Sequence, residues 1–404
     1  MNQADIAFML ISSALVMFMT PGLALFYGGL VRRKNVLSIM MQCFICLGLV
    51  SLIWFVYGYS LAFGNDIGKI IGDFSYLFFK NVGLDPGPPA DNIPHLLFAT
   101  FQLMFAIITP ALITGAFAER MRFSSFLIFI SLWVTFVYLP LCHWVWGGGW
   151  IGSMGALDFA GGTVIHIASG ASALAAALVV GARKGFRQTA FHPHNLPLSI
   201  LGAAILWFGW FGFNAGSALA ADQIAVLAFA NTQLAAGLAA FAWMMAEWFH
   251  RGKPTTLGAI SGAVAGLVAI TPAAGFVPPW AAIVIGILAG VICYMAVLLK
   301  VYLGYDDSLD VVGIHGVGGF LGAILTGVFC YTSANPGGAD GLLAGNIHQF
   351  LVQVIGASAS VVYCFVLSYI LLKLVDVFFG LRVSQEEEVQ GLDLSDHGER
   401  AYDL

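Results

Sequence analysis

Apolar residues run in long stretches free of charge along nearly the whole chain, and polar residues gather in short clusters between them. Stretches near 6–31, 36–62, 93–118, 123–145, 161–181, 196–215, 223–249, 255–271, 279–300, 311–331 and 343–375 reach the roughly 17–25 residues that a helix needs to cross a hydrocarbon core. The pattern predicts eleven membrane helices. The eighth and ninth share one uncharged run, divided at "TPAAGFVPP", where Pro272, Pro278 and Pro279 interrupt a helix otherwise too long for a bilayer. The first run has no basic segment before it and is longer than the roughly 7–15-residue core of a signal peptide, so it reads as a true first helix, whether or not a leader preceded Met1.

Composition agrees with the pattern. Of 404 residues, 60% are hydrophobic and 9% charged, against roughly 45–50% and 25% in soluble domains. The expected class is therefore an all-α integral membrane protein, with a membrane domain over 1–381 and a polar tail over 382–404. Six cysteines lie scattered in apolar segments; Cys43 and Cys46 have CxxC spacing but sit inside an uncharged span, and all six read as small buried hydrophobes. No metal, cofactor or nucleic-acid partner is expected.

Charge adds orientation. If eleven spans alternate, fourteen basic residues fall on one side, among them Arg32, Arg33, Lys34, Arg120, Arg183 and Arg382, and only Lys69 and Lys80 on the other. Basic loops stay on the cytoplasmic side, which predicts an outer N-terminus and a cytoplasmic tail.

Ten spans plus one suggest two halves of five related by an inverted repeat, with a long eleventh helix as a tilted strap. A faint echo supports the division. "DFAGGTVIHIASG" precedes the fifth helix and "DVVGIHGVGG" opens the tenth, and each His is followed four residues later by Gly (His166/Gly170, His315/Gly319). Ionisable side chains within a bilayer are costly and usually face a cavity or a partner, so Asp158, His166 and His315 are the first candidates for chemistry. An inverted axis would bring the histidines together near the midplane. Because both lie only a few residues into their helices, at 1.5 Å per residue they meet only if the helix starts are recessed. The glycine-rich loop before the fifth helix should then dip inward between two vestibules, and irregular backbone at that depth must be buried in protein or line water. Asp158 is expected to cap the fifth helix by accepting from the N–H groups of Gly161, Gly162 or Thr163. Glycines 258, 262 and 266 form a GxxxGxxxG ridge, read as close helix packing.

The stretches "LALFYGGLVRRKN", "VWGGG", "DFAGGTVIHI", "WFGFNAGSA", "GIHG" and "DHGERAY" resemble the Amt/Mep/Rh ammonium transporter family, in its Amt branch, over essentially the whole chain. That resemblance implies a homotrimer with one pore per protomer, in the cell membrane. It also implies an outer recruitment site of Phe105, Trp146 and Ser217, a gate of Phe105 over Phe213, and pore histidines His166 and His315. Tyr27, Trp210 and Thr271 are implied as further pore or vestibule positions. Bacterial members are commonly blocked by PII signalling proteins, which here implies a contact at Asp310, Ser261 and the tail.

Rival readings lack their motifs. There are no paired Asn-Pro-Ala segments for an aquaporin, no TVGYG filter for a potassium channel, and no HExxH or GxSxG for an intramembrane enzyme. A haem between the two histidines would be the strongest redox alternative. An ammonium sensor would need an output domain, which the short tail does not suggest.

Overall fold

The structure, a computed structural model, describes residues 1–88 and 90–402. Among these residues ten helices are long and apolar enough to cross a membrane: α1 (Gln3–Leu30), α2 (Arg33–Phe63), α3 (His95–Phe117), α4 (Phe123–Ser153), α5 (Gly162–Val180), α6 (Leu196–Gly216), α7 (Gln223–Arg251), α9 (Pro279–Leu303), α10 (Val312–Phe329) and α11 (Ile347–Phe379). The shorter apolar helix α8 (Thr256–Ile270) lies between α7 and α9. The expected break at the proline cluster is present, since α8 ends at Ile270 and α9 begins with Pro279.

Helix starts follow the local sequence. Asn2, Asn195, Asp222, Thr255 and Asn346 each accept from a backbone N–H in the first turn of α1, α6, α7, α8 and α11, occupying donors that the helix itself leaves free. Two short hairpins, β1–β2 (Asp66–Ile67, Ile71–Gly72) and β3–β4 (Pro86–Gly87, Ala90–Pro94), modify the all-α expectation in the loop between α2 and α3. Pairing strands is how a compact loop occupies its own backbone groups.

Close helix packing rests on small residues. A Cβ at Gly262 would lie 2.5 Å from Trp243 Cβ, and one at Gly266 2.5 Å from Ala239 Cβ, so these positions of the glycine ridge seat α8 on α7. In the same way Gly202 of α6 sits against the backbone of Phe26 in α1. Apolar side chains gain nothing by leaving lipid for one another, so close approach of backbones does the work that burial does in water. All six cysteines are buried and free.

Beyond α11 the chain folds back across the end of the bundle that carries the basic loops, here termed the basic face. Arg382 pairs with Met121 in a strand-like bridge, and two short helices follow, α12 (Gln385–Gln390) and α13 (Leu392–Ser395). The expected tail is thus docked: Glu388, Leu392 and Asp393 are buried. Its last two residues, 403–404, lie outside the described residues.

Candidate functional site

The backbone before α5 explains why histidine can reach the centre of the bundle. After α4 opens at glycines 147–149, the chain runs without regular structure from Gly155 to Gly161 and carries Asp158 inward, where it is buried. Asp158 accepts from the N–H groups of Gly161 (3.1 Å), Thr163 (2.9 Å) and Val164 (3.1 Å). It therefore serves the start of α5 from further back than a cap residue. Gly161 itself flanks the helix at φ 106°, a left-handed conformation that glycine adopts without steric cost. The first turn of α5, Gly162–Ile167, is wide and π-helical, and so is that of α10, Val312–Val317. Each wide turn contains one of the histidines.

The two imidazoles meet. His166 Nδ1 and His315 Nδ1 are 3.2 Å apart, and the rings stack with centroids 5.3 Å apart and planes 27° apart. Such stacking leaves no slot between them for a porphyrin, which disfavours the haem alternative on geometry. The His-to-Gly spacing now has a cause: a Cβ at Gly319 would lie 2.8 Å from His166 Cβ, and one at Gly170 would run into the backbone of Gly316. Each histidine turn is seated on the glycine that follows the other histidine by four residues.

On one side of the pair is a cavity of about 320 Å³ bordered by Phe98, Gln102, Phe105, Trp146, Asp158, Phe159, Ser217 and Phe276. Trp146 donates its indole N–H to the backbone oxygen of Asp158 at 2.9 Å, so the aromatic wall is tied to the dipping loop. Phe105 stands edge-on to Trp146 at 6.0 Å and lies over Phe213 at 4.4 Å. Ser217 donates to the Phe213 carbonyl at 2.9 Å, which leaves the lone pairs of its hydroxyl free to accept. Below the two phenylalanines a narrow space of about 10 Å³ is bordered by His166, His315, Trp210, Phe213, Ile108, Leu112 and Val264, room for about one water.

At the basic face a third cavity of about 290 Å³ is bordered by Arg32, Glu119, Arg183, Ser261, Lys300, Asp306, Asp310 and Ile314, with Phe26 and Phe191. Asp310 and Ser261 are thus brought together, with Lys300 paired to Asp310. The tail does not border this space. Gln390, Asp393 and Tyr402 border a separate cavity, of about 210 Å³, with Arg33 and Lys34. An ion network ties the loops here: Glu119 bonds Arg32 at 2.7 Å, and Arg183 reaches both Asp306 (2.8 Å) and Glu119 (3.4 Å). Burial opposes ionisation of Asp306, yet its bonds to Arg183 and the charge of Arg120 hold its carboxyl down at about 2.

Two expected positions fall elsewhere. Thr271 borders none of these cavities; it is buried, accepts from the Trp210 indole N–H at 2.9 Å and donates to Leu267 O at 2.7 Å. Tyr27 is likewise buried behind the wall, with its hydroxyl on Leu112 O at 3.0 Å. Both place a polar group where an apolar bundle requires a partner for it. Gln102, Phe159, Phe276 and the Glu119–Arg183–Asp306 network were not anticipated. Gln102 carried a signal, a lone amide in an apolar run, and its Oε1 has no partner among the described residues. Nor do those residues contain a cluster of His, Cys, Asp and Glu able to hold a metal.

Known proteins give this geometry a lineage. A family model described as the Ammonium Transporter Family matches residues 7–402. The chain is 53% identical to the ammonium transporter of Bacillus subtilis, covering 100% of this chain and 99% of that one. It is 49% identical to ammonium transporter Amt1 of Archaeoglobus fulgidus, covering 100% of both. Its fold superposes on the crystal structure of Saccharomyces cerevisiae Mep2 with a TM-score of 0.89 and 38% identity, over 96% of this chain and 89% of that one. Similarity that runs almost end to end places the chain in the ammonium transporter family.

Proposed function

We propose that the protein recruits ammonium at Phe105, Trp146 and Ser217, removes a proton, and conducts ammonia past His166 and His315 while the proton follows a separate path along the histidines. The observation that carries this reading is the imidazole pair, Nδ1 to Nδ1 at 3.2 Å, in an otherwise apolar constriction between two polar-edged cavities. Aromatic faces attract a compact cation by roughly 0.5–2 kcal/mol, and Ser217 can accept one of its protons. Moving the bare ion through the constriction would cost far more, up to tens of kcal/mol in the Born limit. With the lysine ammonium as a stand-in, deprotonation at pH 7 costs about 4.6 kcal/mol. Loss of the proton is the easier route, and neutral imidazoles can both donate to ammonia and accept from it.

Around this pore the reading comprises eleven spans, arranged as five plus five inverted helices with α11 as the strap. It places the N-terminus outside the cell membrane and the 382–404 tail in the cytoplasm, in a homotrimer. A PII-type protein would engage Asp310, Ser261 and the tail. The test is current in proteoliposomes given an ammonium pulse. Replacing both histidines with leucine should abolish the current, and a full current from that variant would show that the pair is only packing.

A further inference from the structure

Two glutamines of α11 grip the loop that carries Asp158. Gln353 is buried. Its Oε1 accepts from Leu157 N–H at 2.6 Å, while its Nε2 donates to Leu157 C=O at 2.8 Å and to Ala323 C=O of α10 at 3.1 Å. One turn earlier, Gln349 Nε2 donates to Gly155 C=O at 3.0 Å. A residue in irregular backbone at this depth needs both its main-chain N–H and its C=O bonded. Here one side-chain amide bonds both, as a neighbouring strand would, and spends its remaining N–H on the helix that bears His315.

We infer that Gln353 is a positioning residue for transport, setting the depth of Asp158 through Leu157. The next residue after Leu157 is Asp158, whose carboxylate orders the first turn of α5 and whose carbonyl holds the Trp146 indole. The amide therefore fixes an outer aromatic and a pore histidine together, and its bond to Ala323 references both to α10. Gln349 steadies the same loop at Gly155. The assignment rests on the proposed site at Trp146 and His166, and it gives α11 a role in the pore that a peripheral strap would not have.

A double-mutant cycle separates this from plain stabilisation, because residues acting through one another lose additivity. Ammonium-evoked current in proteoliposomes would be compared for Gln353→Leu, Asp158→Ala and the pair, with Ser360→Ala as a buried control elsewhere on α11 whose hydroxyl bonds its own helix. Gln353→Leu should lower the maximal current about tenfold in the parent protein, less than the roughly 100-fold that a full 1 Å misplacement can cost at a reacting site. In the Asp158→Ala background it should cost less than about twofold, and Ser360→Ala should stay at the parent level. Parent-level current in Gln353→Leu, or losses that add in the pair, would overturn the inference. If Gln353→Leu does not assemble, Gln349→Leu, which cuts only the Gly155 bond, takes its place in the cycle, where parent-level current or additive losses again overturn the inference. Asp158→Ala at full current would instead defeat the reading of the site itself, so the two failures are distinguishable.

Discussion

His166 Nδ1 faces His315, but His166 Nε2 has no partner among the described residues. A buried nitrogen left open beside a narrow space is unfavourable for packing alone and suits a passing small molecule that can bond to it. Its charge balance gives a direct expectation. A carboxylate at this position supplies a counter-charge in a poorly screened site, so His166→Asp should pass potassium where the parent protein excludes it. Potassium currents in liposomes measure this, and continued exclusion would place selectivity elsewhere. The identity of these residues was legible, because the two histidines stand at matching places, after "DFAGGTVI" and "DVVGI", in the two expected halves. The roles of Thr271 and Tyr27 were not, since a hydroxyl in an apolar run looks the same whether it borders a cavity or bonds a neighbour behind its wall.

The helices were legible from the length of their apolar runs, and the break between α8 and α9 from proline. Their first turns were not. The wide turns of α5 and α10 stand where the two helices cross closely, and the sequence records that crossing only as His followed four residues later by Gly. That crossing can be tested, because Gly170→Ala places a methyl group against the Gly316 backbone, where close-packed helices have no room to yield. It should lower ammonium current several-fold while the protein still assembles, whereas Gly48→Ala, with open space around the new methyl group, should not. Asp158→Ala belongs to the same scale. Losing a carboxylate with three N–H donors costs roughly 0.5–2 kcal/mol of stability for a cap, yet it should reduce transport more than Trp146→Leu does. Equal or smaller loss in Asp158→Ala would count against the dipping loop as the organiser of the site.

Across the whole molecule, the basic face is held by contacts between segments far apart in sequence. Glu388, bonded within the tail by Arg382 at 2.6 Å, accepts from Lys184 N–H at 2.7 Å, and Asp393 accepts from Ser38 N–H at 2.8 Å. The tail thereby joins the start of α2 to the loop after α5. Truncation after Ser384 should leave a folded membrane body with reduced ammonium transport or altered PII inhibition, and no change in either would refute a coupling role. The Asp306 network gives a second expectation. Its carboxyl sits at about 2 when folded and near 3.9 when unfolded, so the charged form stabilises the fold above the unfolded value and loses that effect as pH falls. The stability gap between the parent and Asp306→Asn in detergent should stay level from about pH 7 to 5 and shrink by about 2 kcal/mol between about pH 4 and 2.

The sequence by itself determined the solvent of this protein and the position of its long apolar helices, ten of which, among the described residues, are long and apolar enough to cross a membrane. Crossing a bilayer demands long uncharged runs, and that demand is written residue by residue. It also marked the pair of histidines, because each follows an Asp and a Gly at matching places near the start of an apolar run. Only the tertiary structure decided what each polar group meets: the 3.2 Å approach of the imidazoles, the grip of Gln353 on Leu157, and the docking of the tail. These join residues more than a hundred positions apart, and a hydrogen bond depends on distances of a few tenths of an ångström that no local pattern encodes.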